Sequence, residues 1–207
     1  MTLPIQSSAR RARAGFTLTE VIIGLAVFLL IAVNVALLTK AGRSAADSGV
    51  LMMRVDDELH LTVDRIGLAL LAADSNQVDG LTPAPLPSAS VRYQASMGAS
   101  DGEVVYGPLE EVSWVSAKAG KGSIQWREQP EDRPERSVIW SKNVPIDYKA
   151  ELPNNVEDDN QNGLQDEGGL AFTMDAKTIS IHVTVERESE DGLLMSTQKK
   201  SVITCRN

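Results

Sequence analysis

The sequence predicts an α+β chain in which one long N-terminal helix carries an antiparallel β-sheet. Three observations lead there. No proline occurs between Pro4 and Pro83, so a continuous helix from about Thr17 to Ala73 is open to the chain. Its first half, Val21 to Leu38, holds no charge, whereas beyond Lys40 apolar residues recur at three- and four-residue steps. From Val91 onward the pattern becomes short alternating runs rich in β-branched and aromatic residues, divided by Gly and Pro.

The N-terminal element begins after a basic cluster, Arg10, Arg11 and Arg13, which ends at Gly15. An apolar run of this length crosses a hydrocarbon core of ~30 Å, which needs about 20 residues. Glu20 stands at its margin, and an ionisable group there marks a functional position. The next basic residue along the helix is Lys40, too distant to neutralise it, so its countercharge must come from elsewhere.

The string Gly15-Phe16-Thr17-Leu18-Thr19-Glu20, between a short basic leader and an apolar helix, resembles the processing site of type IV pilins and type II secretion pseudopilins. The resemblance implies that a prepilin peptidase cuts between Gly15 and Phe16 and methylates the new N-terminus. It also implies that Glu20 pairs with the amine of Phe16 on a neighbouring subunit, fixing the stagger of a filament. It covers residues 10 to 40 closely and the remainder only in layout. The expected fold is then pilin-like, with the membrane-spanning half of the helix leading into a half that seats the sheet. A plain signal anchor, with Glu20 at the lipid headgroups, is the other reading of the same residues.

Four segments follow: a leader over 1–15, a transmembrane or filament-core helix over 16–40, its amphipathic half over 41–75, and a β domain over 76–207. Met52, Val55, Leu59, Val63, Ile66 and Leu70 share one face of the second helical half, while Asp47, Asp56, Asp57, Glu58, Asp64 and Arg65 mostly take the other. Residues 74–90 read as a Pro- and Ser-rich loop. Strands are expected at Val91–Ala95, Glu103–Tyr106, Glu111–Val115, Ser123–Arg127, Ser137–Ser141 and Leu170–Met174. A closing hairpin spans 178–204; in it Ile179, Ile181, Val183 and Val185 alternate with polar residues as in a half-buried strand. Trp114, Trp126 and Trp140 fit either a sheet cover or a stacking surface, the former being the commoner use.

One stretch carries metal chemistry. Asp158, Asn160 and Asn162 alternate, Gly163 follows, and Asp166 and Glu167 close the segment. Calcium takes six to eight oxygens, and this spacing offers side-chain oxygens at places one, three and five, with the carbonyl of Leu164 next and Asp166 or Glu167 last. Place twelve is Gly169 where an EF-hand has a bidentate glutamate, so the segment matches a free-standing structural calcium loop better than a sensor. Calcium in the β region of some pseudopilins adds to that expectation. A solvated Asn-Gly turn is the bland alternative.

The formal charge is −8, and loss of the leader's three arginines leaves −11. Such a chain is a poor ligand for nucleic acid, which binds through Lys and Arg. Cys205, the single cysteine, excludes an internal disulfide and fits a small buried residue in the last strand. With two histidines, no nucleophile elbow and no phosphate loop, the chain is not expected to be an enzyme. Arginines ahead of the helix place the N-terminus on the cytoplasmic side of the inner membrane and the bulk outside it.

The expected function is therefore a minor pilin-like subunit, resembling the J-type minor pseudopilin most, that assembles with other pseudopilin subunits at a filament tip. A pilus-tip adhesin or uptake module, and a membrane-anchored calcium-binding domain that forms no filament, are the competing readings.

Overall fold

The computed structural model describes residues 16–117, 121–146, 151, 155–189 and 191–205. Its architecture is α+β. A single helix, α1 (Leu18–Leu71), leads through a short 3-10 turn (Ser75–Gln77) into seven strands: β1 (Ser90–Ser100), β2 (Glu103–Ser116), β3 (Lys121–Gln129), β4 (Arg136–Pro145), β5 (Leu170–Asp175), β6 (Thr178–Glu188) and β7 (Leu194–Thr204). The chain divides into two compact units, Met1–Asp47 and Ser48–Asn207, with the division inside α1.

In the first unit the described helix is apolar and bare. One window of 18 residues reaches a mean hydropathy of 3.0, long and apolar enough to cross a membrane. Its large side chains, from Leu18 through Leu25, Phe28 and Ile31 to Leu38, are all exposed. Asn34 within this stretch and Thr39 just past it are satisfied within the helix, Asn34 donating to the Leu30 carbonyl and Thr39 to the Val35 carbonyl, both at 2.8 Å. A helix apolar all round is stable only inside something equally apolar.

In the second unit the expected single sheet is two. Strands β1-β2-β3-β4 form one antiparallel meander and β5-β6-β7 another. Val55, Leu59, Val63, Ile66 and Leu70 of α1 share one core with Val91, Tyr93, Val112, Ile124 and Val144 of the first sheet and Phe172, Ile179, Ile181, Val183 and Val185 of the second. The helical stripe is thus as expected except at its start. Met52 is exposed, because buried contact of the helix begins only at Val55. Glu58, expected on the solvent side, lies at the flank of the stripe and is captured by the sheets: Ser141 and Asn143 of β4 and Arg187 of β6 all donate to its carboxylate.

The segments Glu103–Tyr106 and Glu111–Val115 are one strand, not two. Register shifts from Gln94↔Leu109 to Ser96↔Tyr106, so Gly107 and Pro108 together face Ala95 as a bulge. Strand β3 pairs with β2 only from Leu109 onward, so Pro108 removes no hydrogen bond from that side. Strand β6 also departs from the half-buried pattern. It is central in its sheet, and His182 and Thr184 are buried along with the alternating isoleucines and valines.

The segment before β1 is bridged to β5, where Ser88 and Phe172 exchange hydrogen bonds at 2.8 and 2.9 Å, while inside the second sheet the Thr184 N–H reaches the Gly169 carbonyl at 2.8 Å. Gly169 is required here, since a Cβ would lie 2.6 Å from the Pro145 carbonyl oxygen. This close approach is what place twelve of the acidic loop provides in lieu of a ligand.

The tryptophans cover the first sheet and pack on the core. Trp126 and Trp140 stack with centroids 6.3 Å apart, and the Arg136 guanidinium lies 5.9 Å from the Trp126 ring. Cys205 is buried just past β7, and its N–H donates to the Lys177 carbonyl at 2.9 Å.

Candidate functional site

Two places were singled out by sequence, and they are built differently. At the helix start, Gly15 and the leader lie outside the described residues. Phe16 is described and exposed. Thr17 is the N-cap: its Oγ1 accepts from the Glu20 N–H at 3.3 Å, while its own N–H and hydroxyl donate to Glu20 Oε2 at 2.8 and 2.9 Å. This is a reciprocal capping box, which satisfies orphan donors of the first turn. Glu20 therefore has a hydrogen-bonding partner in its own turn. The signal was present as Thr-x-x-Glu ahead of an apolar run. That partner supplies hydrogen bonds but no countercharge.

The acidic loop packs against β4 and the 83–88 segment. Backbone hydrogen bonds run from Gly169 to the Pro145 carbonyl (3.3 Å) and from Gln165 to the Pro85 carbonyl (2.9 Å). Leu164 anchors it by burying its side chain. Asp158 accepts from the N–H groups of Asn162 (3.0 Å) and Gly163 (2.8 Å), and the side-chain oxygens of Asn160 and Asn162 accept from Asn162 N–H and Leu164 N–H, each at 2.9 Å. Asp158, Asn160, Asn162 and Leu164 are thereby brought into one turn.

Asp166 is placed apart. Its two oxygens accept from the N–H groups of Asn155 and Val156, each at 3.0 Å. This caps a bend in which Val156 itself has φ 60°. A β-branched residue with positive φ is strained and persists only where its surroundings hold it.

Glu151 takes a place in the loop that no spacing rule indicated. Its Oε1 accepts from the Asn160 N–H at 3.1 Å. Glu167 Oε1 receives both amide groups, Asn160 Nδ2 at 2.7 Å and Asn162 Nδ2. Burial, aided by the negative charge of Glu167, pushes the Glu151 carboxyl above its ordinary range. Among the described residues no three His, Cys, Asp or Glu side chains converge as a metal cluster. Neither histidine contributes. His60 is exposed beside Asp56 on α1, and His182 is buried in β6.

Residues 10–33 match the family described as the prokaryotic N-terminal methylation motif. No curated protein and no solved structure matches the chain. The matched segment contains the leader arginines, Gly15, Phe16, Glu20 and the start of the apolar helix, and it stops well before the β domain.

Proposed function

We propose that a chain bearing this methylation motif on an exposed apolar helix is a pilin-like subunit of a type II secretion pseudopilus or a related type IV filament. The carrying observation is the coincidence of the two features: the motif at 10–33 leads directly into a helix whose apolar side chains are exposed on every face. A bilayer covers such a helix before assembly, and other subunits' helices cover it afterwards.

Prepilin peptidase cuts between Gly15 and Phe16. Glu20 then exchanges its hydrogen bonds to Thr17 for an ion pair with the methylated amine of Phe16 on a neighbouring subunit. In an apolar filament core that exchange is favourable, since a hydrogen-bonded carboxylate without countercharge still carries a large desolvation cost. The leader's arginines keep the N-terminus on the cytoplasmic side of the inner membrane, with the β unit outside. The length and the intact Glu20 favour a J-type minor subunit at the filament tip. Its work is assembly, not catalysis, and its acidic surface does not call for nucleic acid. Loop 158–167 holds one structural calcium ion.

The test is intact mass and N-terminal sequencing of the protein from cells, with a peptidase-negative strain and Glu20→Ala alongside. The expected mature chain begins at methylated Phe16 only when the peptidase is present, and Glu20→Ala is processed but poorly assembled. A chain that keeps its leader in the peptidase-positive strain overturns the filament reading and leaves a membrane-anchored domain.

A further inference from the structure

The loop before β5 buries negative charge that no ion pair among the described residues balances. Glu167 is 2% exposed and Glu151 6%. In each, Oε2 is buried without a hydrogen-bond partner. Neither carboxylate forms an ion pair with Lys, Arg or His among the described residues. Burying one unpaired carboxylate costs several kcal/mol, and a second nearby raises the cost. Two orphan oxygens in one buried turn therefore point to a missing positive charge.

We propose that Glu151 and Glu167 are the anionic pair that holds a single divalent cation of the calcium class, and that this cation locks the β4–β5 connection. The inference rests on reading 158–167 as a cation loop, and it changes which residues do the holding. Asp166 is committed to the backbone of Asn155 and Val156, so the closing charge comes from Glu167 and from Glu151, outside the loop. Asn160 and Asn162 supply amide oxygens, and Asp158, whose own oxygens accept the Asn162 and Gly163 N–H groups, holds the turn that presents them.

The chemistry of this donor set selects the ion. All donors are oxygen, which suits hard cations and excludes a zinc site built on nitrogen or sulfur. The amide groups of Asn160 and Asn162 both aim at Glu167 Oε1. They place partial positive charge beside the carboxylate a cation would neutralise. Their Oδ1 atoms accept the Asn162 and Leu164 N–H groups, and each keeps a second lone pair for an ion.

The position gives the ion its effect. The same turn is fastened to the Pro85 and Pro145 carbonyls, and β5 follows it directly, with Phe172 bridged to Ser88. A cation that joins Glu151 to Glu167 closes the segment linking the two sheets.

The experiment uses the full chain in detergent. Calcium and magnesium are titrated calorimetrically, and melting is followed in calcium and in chelator, for wild type, Glu151→Gln, Glu167→Gln and Asp166→Asn. The wild type binds one calcium with a raised melting temperature and binds magnesium less tightly. Both Glu→Gln variants bind calcium at least tenfold more weakly, whereas Asp166→Asn stays closer to wild type. Glu151→Gln also melts at or above wild type in chelator, because it removes a buried like charge, yet gains nothing from calcium. Equal calcium affinity in Glu151→Gln and wild type overturns the pair while the loop reading stands. Melting of Glu151→Gln far below wild type in chelator makes Glu151 a structural acceptor and also overturns it. A wild type that binds no calcium at millimolar concentration removes both the loop reading and the inference.

Discussion

Arg187 Nη2 lies 2.6 Å from Glu58 Oε2, across 129 positions of sequence, and so ties β6 to α1. Arg187 Nε reaches the same oxygen at 3.1 Å, Ser141 Oγ donates to Glu58 Oε1 at 2.7 Å, and Asn143 Nδ2 lies near both oxygens. One helical carboxylate therefore gathers donors from both sheets at the edge of the core. Apolar packing alone leaves a helix free to slide by a turn on a sheet, since any residue of similar size fills the same gap. A fixed carboxylate with directional donors removes that freedom.

Glu58→Ala leaves the Arg187 guanidinium and the Ser141 hydroxyl, itself buried, without their acceptor. Charged hydrogen bonds contribute ~1.5–3 kcal/mol each in net terms, and a half-screened cluster gives less than their sum. The expected loss is about 2–3 kcal/mol, read as a lowered denaturant midpoint with an unchanged slope. Burial works to raise the Glu58 carboxyl, but Ser141, Arg187 and Asn143 outweigh it and hold it below its usual range. Its contribution is present above the unfolded carboxylate pKa and is lost as pH falls through the lower folded value.

The Glu58 cluster also marks what can be read from a sequence. The stripe Val55, Leu59, Val63, Ile66 and Leu70 is a local period, and local periods survive folding. Glu58 sits four residues before Thr62 and three after Val55, at the flank of that stripe, but nothing local says that Arg187 will meet it. Splitting of the strands into two sheets has the same cause: alternation tells which face is buried, never which strand is the neighbour. Gly107-Pro108 reads as a turn because the residues suit one equally well as a bulge. In the acidic loop the spacing of Asp158, Asn160 and Asn162 is visible. Glu151 carries no signal beyond being an acid upstream, and the burial that singles it out exists only after folding.

His182 makes stability depend on acid. It is buried opposite Lys200 on β7, with Nε2 lacking a partner. Burial first, and the Lys200 charge second, lower its pKa to about 4. The unfolded chain takes up this proton near the ordinary value of ~6.5, so it binds more protons than the folded chain between the two values. Stability is therefore complete above ~6.5 and falls with pH down to about 4, by on the order of 3 kcal/mol at 1.36 kcal/mol per unit. His182→Gln flattens this part of a melting-versus-pH curve. A curve of the same slope in the variant places the acid sensitivity elsewhere.

Gly169→Ala tests the close contact between the acidic loop and β4. The new methyl meets the Pro145 carbonyl oxygen at 2.6 Å and Val144 Cγ1 at 2.8 Å, both on a strand that is hydrogen-bonded to β3 and cannot retreat freely. Overpacking of this kind costs ~1–3 kcal/mol. Gly163→Ala, in contrast, meets no atom but sits at φ 92°, so its penalty is backbone strain alone. Melting temperatures in chelator separate the two, with Gly169→Ala lower than wild type whether or not calcium is added afterwards.

Glu110 supports the tryptophan cover from beneath. Its Oε2 accepts from the Tyr93 hydroxyl at 2.6 Å and from Trp126 Nε1 at 2.7 Å. Tyr93 is fully buried, and burial together with the Glu110 carboxylate pushes its hydroxyl far above the ordinary phenol range, so it is a donor at every working pH. Glu110→Ala strands both donors inside the sheet cover. An unsatisfied buried donor costs ~1–3 kcal/mol, and Tyr93, with no route to water, carries most of it. Trp126 packs against Trp140 and is partly exposed, so it can recover a water. Glu110→Gln keeps an acceptor oxygen in place and loses only the extra strength of a charged one. The expected order of stability is wild type, then Glu110→Gln, then Glu110→Ala, with tryptophan fluorescence shifted to the red only in the last. Phe at position 93 in the Glu110→Ala background removes the stranded hydroxyl and restores part of the loss. If that double variant is no more stable than Glu110→Ala, the buried hydroxyl is not the source of the penalty.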